Sequence, residues 1–102
     1  MTAQQQREHD AAATLIALIA ATFHQAYACA VSGLSHEAIL IDYDIQAAAA
    51  GQDEAINACA RSAIKAAVRS VERGIPYSVA LSYLMQRCTY FIHSNLHSEQ
   101  HT

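Results

Sequence analysis

Between Ile56 and Val71 the apolar positions fall at Ile56, Cys59, Ala60, Ala63, Ile64, Ala67, Val68 and Val71, the three-and-four spacing of one helical face. The polar ends agree with a helix over 53–73. Asp53 can cap the start, Glu54 suits its positive end, Arg69 and Arg73 suit the negative end, and Gly74 lies where the chain must turn out. Upstream, the pattern predicts a long helix from about Gln5 to Ser32 with two apolar stripes. One is Leu15, Ile19, Thr22 and Ala26; the other is Ile16, Phe23, Tyr27 and Ala30. Two stripes imply two neighbours. Gly33 ends that helix, and Ser35 caps a second one that stops at Gly51 and carries Ile39, Leu40, Tyr43 and Ala47 on one face. Its fragment Ile41 to Ile45 also alternates like a strand, but a lone strand would need a partner that no other segment offers, so helix is expected. A last helix, from about Pro76 to Leu96, sets Tyr77, Leu81, Leu84, Cys88 and Phe91 along one stripe, with Met85, Ile92 and Leu96 beside it.

Four such helices predict an all-α, four-helix bundle-like single domain over residues 1–102, with polar tails at about 1–10 and 97–102. Hydrophobic residues make up 53% of the chain, yet much of that is alanine, and only Phe23, Phe91 and five tyrosines add bulk. So small a core favours association between chains. The expectation is a homodimer whose interface uses Leu81, Leu84, Cys88 and Phe91, the widest apolar face. From Ala11 to Leu34 no residue is formally charged, a length that raises a membrane span or an export signal. Thr14, Thr22, His24, Gln25 and Ser32 dilute that run, and Arg7, Glu8 and Asp10 precede it without a positive excess. A soluble cytoplasmic helix is the expectation, with no membrane partner.

The net charge of −3 is unevenly spread. Residues 1–54 hold seven acids against Arg7, a balance of −6, and residues 55–102 hold five bases against Glu72 and Glu99, a balance of +3. An acidic chain argues against direct nucleic-acid binding, even though Arg61, Lys65 and Arg69 share a helix. Asn57, Arg61, Lys65, Arg69 and Arg73 recur every four residues and read as the solvent side of the third helix. Like charges at that spacing repel, so this basic row should be solvated, or compensated by Glu37, Asp42 or Asp44 or by an acidic patch on a partner.

Catalytic chemistry finds little support. No G-x-S-x-G, H-E-x-x-H, CxxC or glycine-rich phosphate loop occurs, and there are only three glycines in all. Asp42 and Asp44 diverge by about 200° on a helix, too far for a paired-carboxylate hydrolase. Cys29 with His24, and Cys88 with His93, stand five residues apart, which also turns their side chains away from each other. The three cysteines fit buried reduced thiols. His93 and His97 have the four-residue spacing of a helical metal pair, but that spacing is common by chance and a solvated terminus is expected. The expectation is a non-enzymatic protein with no cofactor.

In size, and in the run of helices from Ala11 to His97, the chain resembles the small helical quorum-sensing antiactivators of pseudomonads of the QslA type. That resemblance implies a cytoplasmic dimer that binds a larger protein, a LuxR-type transcription factor, and blocks its dimerisation or DNA binding. Partner contact is expected on Ile39, Leu40 and Tyr43, with Glu37 and Asp42 at the rim. Two alternatives stand beside it: a metal- or redox-responsive helical sensor using the C-terminal histidines or the cysteines, and a phage-encoded inhibitor of a bacterial defence complex.

Overall fold

A computed structural model describes the backbone of residues 2–100 and the side chains of residues 2–90. Four helices follow one another: α1 Ala3–Val31, α2 His36–Ala50, α3 Glu54–Glu72 and α4 Tyr77–Gln100. No strand occurs among the described residues, so the alternation at Ile41 to Ile45 lies on a helix. The fold is all-α and forms one domain, as the pattern predicts.

Local chemistry sets the ends. Ser35 Oγ accepts from the Ala38 N–H at 3.1 Å and Asp53 Oδ1 from the Ala55 N–H at 2.7 Å, so both expected caps form. Helix α1 begins at Ala3, two residues earlier than its apolar pattern suggests. Thr2 and Gln5 close a capping box there, with Thr2 Oγ1 accepting from the Gln5 N–H at 3.2 Å and Gln5 Oε1 from the Thr2 N–H at 2.9 Å. At the other end of α2, Gly51 takes φ +66°, and the Gln52 N–H donates to Ala47 O at 3.1 Å, closing the last turn.

Helix α3 is the centre of the molecule, touching α1, α2 and α4. Its buried face, Ala60, Ala63, Ile64, Ala67 and Val68, meets Ile19, Phe23 and Ala26 of α1, Ile39 of α2 and Ala80 of α4. The alanines let helix backbones come close, and two large side chains, Phe23 and Ile64, fill the middle. Each fully buried residue of that size contributes about 1.5–3 kcal/mol relative to exposure. Phe23, Tyr27 and Tyr77 make an aromatic cluster with centroids 5.3–6.0 Å apart, and Tyr27 donates its hydroxyl to Ile75 O at 2.8 Å, tying the α3–α4 loop to α1.

The α3 row departs from the sequence reading at its first member. Asn57 is 7% exposed, the one buried polar side chain among the described residues, because it lies against α2 and is bonded to Tyr43 and to the Gln52 carbonyl. Arg61 leans across to α2 and pairs with Asp44 at 3.0 Å and with Glu54 at 2.7 Å. The compensation by Asp44 is thus met for Arg61. Lys65, Arg69 and Arg73 are exposed and make no ion pair among the described residues.

Candidate functional site

The five residues expected to meet a partner separate into two groups. Ile39 is buried at 8% exposure in the chain's own core, Leu40 packs half-buried against it, and Tyr43 is half-buried. The Tyr43 hydroxyl donates to Asn57 Oδ1 at 3.1 Å and accepts from Gln52 Nε2 at 2.9 Å, so it is occupied within the fold. Glu37 and Asp42 are exposed, and Asp42 accepts from Gln46 Nε2 at 2.9 Å. Of the residues expected at a dimer interface, Leu81, Leu84 and Cys88 are half-buried against the core of their own chain, while the Phe91 side chain lies outside the described residues. The His93 and His97 side chains lie outside them too. No group of three metal-ligating side chains occurs among the described residues.

Between α1 and α2 the fold leaves a cleft of about 300 Å³. Helix α2 leans chiefly on α3, so its contact with α1 is slight and the gap between them stays open. Ile39, Ala26, Ile64 and Leu34 line it, and Thr22, Gln25, Asp42 and Gln46 supply polar groups. At that volume it matches the low end of small-molecule pockets, and it is open to solvent, so it suits a side chain better than an enclosed ligand. Beside the cleft, α2 presents Ile41 and Ile45 at 54% and 64% exposure, with Glu37 and Asp44 on the flank. Sequence reasoning missed these two isoleucines as surface residues because α2 is apolar on more than one side. That lack of a polar face was the signal.

Among the described residues the ionisable groups that depart from their ordinary values are Glu54, Arg61 and Cys88, none of which lines the cleft. The Arg61 guanidinium holds the Glu54 carboxyl below the ordinary carboxylate range, chiefly through their hydrogen bond, and Glu54 and Asp44 raise Arg61 in turn. Burial pushes the Cys88 thiol up, with Cys59 adding to the effect, so it stays protonated at neutral pH and is a poor nucleophile. His24 faces Tyr77, with Nδ1 3.1 Å from its hydroxyl, and the rings meet edge to face. Helix α1 is long and apolar enough to cross a membrane, a property that core helices and leader segments share, and 17% of its most apolar 18-residue stretch is buried in the fold.

Comparison with family models, with curated proteins and with solved structures yields no match for this chain.

Proposed function

We propose that the chain is a non-enzymatic regulatory protein that acts by binding another protein through the cleft between α1 and α2 and the apolar shoulder beside it. The observation that carries this reading is the exposure of Ile41 and Ile45 next to an open cleft floored by Ile39 and Ile64. An amphipathic helix fits such a surface. It would seat apolar side chains over the shoulder and cleft, and place basic groups against Glu37 and Asp42. The resemblance to quorum-sensing antiactivators supplies the partner class, a LuxR-type transcription factor whose own helical dimerisation surface would be covered. A cytoplasmic location belongs to the same reading.

The purified chain is used to capture proteins from a bacterial lysate, beside an Ile41→Asp, Ile45→Asp variant whose helicity is checked by circular dichroism. A helical partner retained by the parent chain and lost from the variant supports the reading. Retention of nothing by the parent chain overturns it, and so does equal retention by a folded variant.

A further inference from the structure

The cleft between α1 and α2 joins an apolar floor to a polar rim of one sign. Ile39 and Ile64, 8% and 1% exposed, form the floor with Ala26. The more exposed Thr22 and Gln25 of α1, and Asp42 and Gln46 of α2, make the rim. Asp42 is the one charged residue lining the cleft among the described residues, and its carboxylate meets no cation there, because Arg61 is turned to Asp44 and Glu54 instead. The opening is therefore negative, and its charge is uncompensated.

The hydrogen bonds already made decide what the rim has left to offer. Thr22 spends its hydroxyl hydrogen on Leu18 O at 2.8 Å, which leaves its oxygen as an acceptor. Gln46 Nε2 donates to Asp42 Oδ2 at 2.9 Å, so Asp42 Oδ1 and Gln46 Oε1 stay open as acceptors. The exposed Gln25 amide can turn either end inward. Tyr43 also lines the cleft, but its hydroxyl is taken up by Asn57 and Gln52, and what remains for an occupant is its ring. An acceptor-rich, singly negative rim thus stands over aliphatic ground with an aromatic side chain beside it.

We infer that the group this cleft takes from the partner is an arginine side chain. Its methylene stem lies on Ile39 and Ile64 while its guanidinium reaches Asp42, setting five donors and no acceptor against a rim of oxygens. The planar fork can give a carboxylate two parallel bonds and can stack on the Tyr43 ring; a lysine ammonium is a strongly hydrated point charge and offers no such fork. A leucine or phenylalanine would fill the floor but cover the Asp42 carboxylate without answering it, at the cost of its lost hydration. The partner's apolar side chains then belong on the shoulder of Ile41 and Ile45. The inference rests on the proposed function and names the residue by which the partner is held.

The test titrates the isotope-labelled chain with Nα-acetyl-arginine N-methylamide, and with its lysine and leucine counterparts, while backbone and glutamine side-chain amide resonances are followed. The arginine probe is expected to move Thr22, Gln25, Asp42 and Gln46 together and to bind about tenfold more tightly than the leucine probe, with lysine between them. Asp42→Asn, which keeps the size of the rim and whose helicity is checked by circular dichroism, should lower the arginine affinity about tenfold. Comparison of the probes on the parent chain decides the matter even if that variant is poorly folded. A lysine or leucine probe that binds as well as arginine overturns the inference. So do an absence of shifts at the cleft, shifts spread alike over every acidic residue, and an arginine affinity that a folded Asp42→Asn variant leaves unmoved. Lysate capture that depends on Ile41 and Ile45 but survives Asp42→Asn overturns it too, and leaves the broader reading standing.

Discussion

Tyr43 donates its hydroxyl to Asn57 Oδ1 across 3.1 Å, joining α2 to α3 through the one polar side chain that the described core admits. Gln52 Nε2 donates to the same hydroxyl at 2.9 Å, and Asn57 Nδ2 reaches the Gln52 carbonyl at 3.4 Å, so the three residues also brace the α2–α3 turn. A buried amide satisfied in this way fixes the register of α2 against α3. The apolar contacts alone would tolerate sliding.

Removing either partner should therefore cost stability. Asn57→Ala is expected to destabilise the fold by about 1–3 kcal/mol, because it leaves the Tyr43 hydroxyl without its acceptor and opens a small void. Tyr43→Phe should cost about 1 kcal/mol. Urea unfolding of both single variants and the double variant should give a non-additive cycle, and additive losses would separate the two residues energetically.

Phe23 has no exposed surface and sits where α1, α3 and the aromatic cluster meet. Phe23→Ala should lose about 3–5 kcal/mol, a large share of the ~5–15 kcal/mol that holds a domain of this size. Thermal unfolding followed by circular dichroism should show a broad, much lower transition or none.

The Arg61 pairs are exposed, so their effect should be visible chiefly in its response to pH and salt. The Glu54 carboxyl is lowered in the folded chain, so its contribution is present above its unfolded pKa and is lost as pH falls through the folded value. The melting difference between the parent chain and Arg61→Ala should accordingly vanish on acidification below the carboxylate range, and shrink in high salt. A difference that persists in acid would point to packing of the arginine stem.

Gly51 holds φ +66° at the end of α2, and a Cβ placed there would meet nothing within 4 Å. The cost of Gly51→Ala is then conformational alone, about 1 kcal/mol, and Gly51→Asn should cost less because asparagine tolerates the left-handed region better. Equal melting temperatures for all three proteins would contradict this.

The sequence by itself determined the four helices, their order and most of their ends. Those features rest on contacts within three or four residues, such as Ser35 with Ala38 or Asp53 with Ala55, and on the one-sided spacing of α3. The Asn57 position was read as solvent-facing because its spacing to Arg61 matches a polar row. Only the approach of Tyr43 from another helix turns it into a buried anchor. Helices α2 and α4 are apolar on more than one side, so periodicity could not say which side the core would take. That choice was made by where α3 lies: it draws in Ile39 and Leu81 and leaves Ile41, Ile45, Tyr83 and Tyr90 in water, because a single small neighbour can cover just one face of each helix.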